Sequence, residues 1–145
     1  MDLLEDAREE LKRADHLVYV SLKYTRTCDI IMNTVKRLIE SCNFVILALL
    51  ENLRDKRKIA SIPEGALNRA ELLLEKDKKY KSYIKLYQLL NKIKESEFDR
   101  REEYRKHVTM ICHLDRRNLE VNVPTLEEYF NKAKEFVDIA EDELG

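Results

Sequence analysis

Gly65 and Gly145 are the only glycines in 145 residues, and Pro63 and Pro124 the only prolines. Turns with unusual backbone angles lean on Gly, Pro, Asn and Asp, and a strand-rich fold needs such a turn every eight to twelve residues or so. A chain this poor in turn residues has little with which to build an all-β sandwich or barrel. Two glycines eighty positions apart also leave no way to write a Gly-rich phosphate loop of either the dinucleotide or the P-loop kind. Long helices are the expected solution.

The balance of apolar to charged residues agrees. The chain is 44% apolar and 38% charged, and its 27 basic and 28 acidic side chains nearly cancel, so no large net charge opposes collapse. Its length predicts one domain, residues 1–145, burying about 70% of the surface the unfolded chain exposes. The opening Met1-Asp2-Leu3-Leu4-Glu5-Asp6 is acidic where a signal peptide is basic. The longest apolar run, Phe44 to Leu50, is far short of the ~20 residues of a membrane span. These features predict a soluble, cytoplasmic protein without membrane association. Cys28, Cys42 and Cys112 are an odd number at wide spacing, which suits reduced core thiols better than a disulfide framework or a zinc site.

Capping signals and apolar spacing divide the chain into five or six helices. Asp2 with Glu5 opens a first helix over residues 2–23, whose Leu4, Ala7, Leu11, Ala14, Val18 and Leu22 recur at helical spacing. After Tyr24-Thr25-Arg26-Thr27, a broad stripe from Ile30 to Leu53 predicts a long central helix, apolar on nearly every side around Phe44 to Leu50. Ser61-Ile62-Pro63-Glu64 reads as a cap with proline in the first turn, starting a third helix that ends near Glu75. The polar stretch at residues 76–79 reads either as a break or as part of one helix through residues 62–95. Tyr80, Tyr83, Ile84, Tyr87 and Leu90 continue at three-and-four spacing. Asp99 with Glu102 predicts a further helix carrying Tyr104, His107, Val108, Ile111 and Leu114. Asn118 to Val123 reads as extended, and Pro124-Thr125 with Glu128 starts a last amphipathic helix. The fold expected is a single-domain, all-α helical bundle.

Charge is unevenly distributed along this bundle. Lys76 to Lys94 carries seven lysines and one aspartate, whereas Glu120 to Gly145 carries eight acids and two lysines. Lys78, Lys79 and Lys81 interleave with Tyr80 and Tyr83, the mixture a nucleic-acid surface uses for phosphates and stacking. The same tyrosines share the helical period of Ile84 and Leu90, which makes them core or boundary residues and the lysines a solvated outer face.

Chemistry concentrates in Phe98-Asp99-Arg100-Arg101-Glu102-Glu103-Tyr104-Arg105-Lys106-His107. On a helix, residues seven apart fall within roughly 20° of one another, so Arg100, Tyr104 and His107 would share a face. Histidine moves protons near neutral pH and arginine holds phosphate bidentately, so the set could cleave RNA without metal, using the 2′-hydroxyl as nucleophile. The plain alternative is a salt-bridged surface segment. No Glu-x-x-His or His-Glu-x-x-His spacing supports a metal site: His16 and His113 have no glutamate three residues before them, and Glu103 stands four before His107.

A compact α-bundle with a long buried second helix, and an arginine separated by five or six residues from a histidine near the start of a late helix, resembles the HEPN family (higher eukaryotes and prokaryotes nucleotide-binding domains). The residues carrying the resemblance are Arg101 or Arg100 with His107. It implies metal-independent endoribonuclease or RNA-binding activity of the toxin–antitoxin or RNA-processing kind, with His107 as acid/base and Arg100 or Arg101 as phosphate ligand. It also implies no cofactor, a homodimer, and in some members a nucleotidyltransferase-type partner protein. Tyr104, beside these residues, is the candidate RNA contact. The competing expectations are a non-catalytic helical protein–protein interaction module and a bundle that binds nucleic acid through Lys76 to Lys94.

Overall fold

The computed structural model describes residues 2–145. Its first helix, α1, runs Leu3–His16 and continues through one π-helical turn, Leu17–Ser21, into a last turn, Leu22–Tyr24. The Asp2 carboxylate caps it, accepting from the backbone N–H of Leu4 at 2.9 Å and of Glu5 at 3.4 Å. The wider π turn admits an extra residue, and Val18 within it and Leu22 just after it are both buried.

Helix α2, Cys28–Asp55, is the 28-residue axis of the molecule, about 42 Å long. The Thr27 side chain caps it by accepting from the Ile30 N–H. Ile31, Val35, Leu38, Val45 and Leu50 are fully buried along it, as the broad apolar stripe predicts. Helix α1 runs antiparallel beside it, pinned where the Ser41 hydroxyl donates to the Ala7 carbonyl at 3.0 Å.

Helix α3 is Ala66–Lys76 and helix α4 is Lys81–Glu95. The break between them is real: the Asp77 carboxylate accepts from the Lys79 N–H and holds a 3-10 turn, Lys78–Tyr80. The expected start at Ser61 moves to Gly65, the residue before α3. Pro63 and Glu64 stay outside the helix because the Arg69 guanidinium donates to both of their carbonyls at 2.7 Å, fixing an irregular approach.

The all-α expectation fails between α4 and the final helix. Residues 97–122 form a three-stranded antiparallel sheet, β1 Glu97–Arg101, β2 Thr109–His113 and β3 Asn118–Asn122, in the order β1-β2-β3. The extended reading of residues 118–123 holds, and the helix expected from Asp99 does not exist. Phe98 pairs with Cys112, which pairs with Leu119; Arg100 pairs with Met110, which pairs with Val121. Successive strand residues face opposite ways, so Met110, Cys112 and Val121 are fully buried while Asp99, His113 and Glu120 face outward. The sheet then leads into helix α5, Val123–Leu144, capped by the Asn122 side chain at the Thr125 N–H with Pro124 in the first turn as expected. The result is a mostly helical bundle with one small sheet against its core.

All three cysteines are buried free thiols. Burial pushes the Cys28 thiol up to about 11 and the Cys42 thiol up to about 12. Among the described residues, no helix is long and apolar enough to cross a membrane.

Candidate nucleic-acid interface

The segment that carried the catalytic expectation is a hairpin, and the long loop of that hairpin, residues 102–108, closes over the start of α2. Only Thr25, Arg26 and Thr27 separate α1 from α2, and the peptide carbonyl of Arg26 accepts the Tyr104 N–H at 2.6 Å. The Glu103 carboxylate accepts the Cys28 N–H at 2.7 Å, satisfying one of the unpaired donors at the positive end of the helix. Cys28 Sγ donates to the Thr109 carbonyl at 3.3 Å. Arg100 bridges the same corner, 2.8 Å from Asp29 and 3.5 Å from Glu103. The ion pair holds the Asp29 carboxyl below its ordinary value and Arg100 above its own.

This bracing aims side chains outward. Tyr24 is 86% exposed and Tyr104 74% exposed, the largest values among the exposed large hydrophobic residues. Tyr104 and Glu102 adopt left-handed backbone angles, φ 67° and 58°. A non-glycine residue there is strained unless its surroundings hold it, and the bonds from Tyr104 to Arg26 and from Glu103 to Cys28 supply that hold. Lys23, Arg105, Lys106 and His107 are exposed in the same two segments, and Arg26 is half-buried. Glu102 offsets part of this charge, 3.8 Å from Arg105.

The geometry separates the residues that helical spacing would have stacked. Arg100 and Arg101 are neighbours in a strand and so face opposite sides of the sheet. Arg100 turns to the start of α2, whereas Arg101 lies on the outer face in an ion pair with Glu120. His107 sits in the loop with its ring exposed and its carbonyl accepting the Thr109 hydroxyl at 2.9 Å. Both arginines are held by carboxylates. The one-face arrangement of Arg100, Tyr104 and His107 is therefore corrected, because it required a helix that the left-handed residues and β2 preclude.

Lys78, Lys79 and Lys81 stand elsewhere. Lys79 pairs with Glu143 at 2.9 Å, next to the end of α5. That end of the bundle contains the end of α2, so Lys79 lies toward the opposite end of that helix from Tyr104. Their interleaved tyrosines belong to the core: Tyr80 and Tyr87 are buried, and Tyr83 stacks on Phe136 with ring centres 5.1 Å apart. No ring is left there for a base.

Two groups escape a reading by helical spacing. Tyr24 and Arg26 lie in what looks like a mere connection; the visible signal is an aromatic residue outside the apolar period, followed by a cation. On the outer sheet face, His113 spans all three strands, with Nδ1 2.9 Å from Asn118 Oδ1 and Nε2 2.8 Å from Asp99 Oδ2. Only a protonated imidazole can donate from both nitrogens. Asn118, and after it Asp99, accordingly raise the His113 pKa above its ordinary value. Raised in the folded state, this pKa makes a stabilising contribution that is complete below about pH 6.5 and disappears as pH climbs through the folded value. An NMR titration should place the His113 midpoint above 6.5 and return it toward that value in Asn118→Ala or Asp99→Ala; a midpoint unmoved by both changes would refute the cross-strand tie.

Comparison with protein-family models, curated proteins and solved structures finds no match to this chain.

Proposed function

We propose that the surface made by the α1–α2 connection and the β1–β2 loop binds single-stranded RNA. What carries this reading is the pair Tyr24 and Tyr104, exposed on two backbone segments joined by the bond between Tyr104 N–H and the Arg26 carbonyl. Exposed aromatic faces among cations are what unpaired bases and their phosphates require. Lys23, Arg26, Arg105 and Lys106 are the cations, and the strained loop holds Tyr104 in place before any ligand arrives. Fluorescence anisotropy with a labelled oligouridylate tests it: saturable, salt-dependent binding is expected, and its absence would remove the reading.

Metal-independent cleavage in the manner of HEPN proteins is a narrower form of the same proposal. The buried α2 and the exposed His107 beside Tyr104 support it. In this form His107 exchanges the proton, and the phosphate is held by Arg105 or by an arginine released from its carboxylate. Incubation of RNA with EDTA present should give products with wild type and intact substrate with His107→Ala; equal survival of the substrate would eliminate cleavage and leave binding.

A further inference from the structure

A second basic surface lies between α1 and α2. A groove of about 550 Å³ is walled by Lys12, Arg13 and His16 from α1 and by Asn33, Lys36 and Arg37 from α2. Each triplet has the three-and-four spacing that puts its members on one helix face, and no carboxylate lines the groove. Glu10 lies beneath it, only 8% exposed, accepting from Arg13 at 2.8 Å and from Arg37 at 3.2 Å. One buried carboxylate thus fixes one guanidinium from each wall. A guanidinium has five N–H donors, and each of these uses one nitrogen on Glu10, so the others remain available. Lys12 pairs with Glu9 at 3.2 Å on the open surface, and Lys36 has no carboxylate partner among the described residues.

The groove leads to the interface described above. Asp29, Asn33, Lys36 and Arg37 follow the same helical stripe, so Asp29 stands one turn beyond Asn33. Asp29 holds Arg100, which braces the loop of Tyr104. From Arg37 to the start of α2 is about 14 Å along the axis, and the exposed tyrosines extend the path to roughly 20 Å.

We infer that the groove between α1 and α2 holds the backbone phosphates of the RNA strand whose bases the tyrosines stack. The inference rests on the RNA reading of the Tyr24 and Tyr104 surface and adds a direction and a length to it. Arg13 and Arg37 grip phosphate from opposite walls, positioned by Glu10, while Lys12 and Lys36 add charge without fixed geometry.

The test compares a four-nucleotide with a twelve-nucleotide oligouridylate over a range of salt concentrations, using the intact protein. The double variant Lys12→Glu with Lys36→Glu changes only exposed side chains, and a thermal melt checks its folding. It should bind the twelve-mer at least tenfold more weakly, with a salt slope shallower by about 1.4, two single-strand phosphate contacts at roughly 0.7 each. Its affinity for the four-mer, which spans the tyrosine surface alone, should be nearly unchanged. If the double variant keeps the wild-type affinity and slope for the twelve-mer while Tyr104→Ala loses binding, the groove inference is overturned and the tyrosine surface stands. If Tyr24→Ala with Tyr104→Ala binds as wild type while the double lysine variant loses, the tyrosine reading fails and the inference of a shared strand is overturned with it. If wild type binds neither oligonucleotide, both fall.

Discussion

Replacing Tyr24 and Tyr104 together by alanine should weaken oligouridylate binding by about 30-fold or more. Base stacking on an aromatic side chain contributes about 1–3 kcal/mol per base, so two platforms together supply about 2–6 kcal/mol. Both side chains are largely exposed, and the bond that fixes the loop uses the Tyr104 backbone rather than its ring. The double variant should therefore fold with little change in melting temperature, because surface substitutions away from caps and cores fall within about 0.5 kcal/mol. Tyr24→Phe with Tyr104→Phe should retain most of the affinity, since stacking uses the ring face. A double alanine variant that binds as tightly as wild type would dispose of the stacking surface. A melting temperature far below wild type would show instead that the rings support the fold.

The second large effect lies in the core. Leu38 is fully buried midway along α2, where α1 and α5 also pack. Leu38→Ala removes buried methyl groups and leaves a cavity in a helix that cannot shift without disturbing every neighbour, a cost of about 2–5 kcal/mol. For a domain of this size that corresponds to a fall in melting temperature of roughly 5–20 °C. Denaturant titration should show the midpoint moving with little change in slope, because the native fold survives. A loss under about 1 kcal/mol would mean that α2 is not the axis of the core.

Most of the helical frame was legible from spacing and caps. The apolar stripe of α2, the Asp2 cap of α1 and the proline start of α5 each stood in the sequence as they stand in the fold. The hairpin was hidden for two physical reasons. Val108, Ile111 and Leu114 are three apart and mimic a helix face, although Val108, Met110 and Cys112 equally mark a strand, and it is these three that are fully buried. The loop also carries no glycine. Its left-handed positions are Glu102 and Tyr104, residue types that announce no turn, and the loop is held through Tyr104 and Glu103 by Arg26 and Cys28, far away in the chain. Scarcity of glycine rules out a fold made of hairpins; it does not rule out one hairpin braced from outside.

The geometry of the segment from Arg100 to His107 escaped the sequence for a related reason. Tyr104 and His107 do stand at an exposed corner, but Arg100 and Arg101 part company because a strand alternates where a helix would wind. Tyr24 and Arg26 belong to that corner only through the fold, and no local pattern joins them to Tyr104.

The bracing of this corner also decides how it can come apart. The Cys28 amide, the Cys28 thiol and the Tyr104 amide are all committed to contacts between the hairpin and the α1–α2 connection. The two amides meet loop residues, so lifting the loop would release both together, while the thiol is tied to the first residue of β2. A surface built this way is present whole or absent whole. The Cys28 thiol lies buried beneath the same hairpin, and burial holds its pKa up to about 11, against the thiolate form that would react.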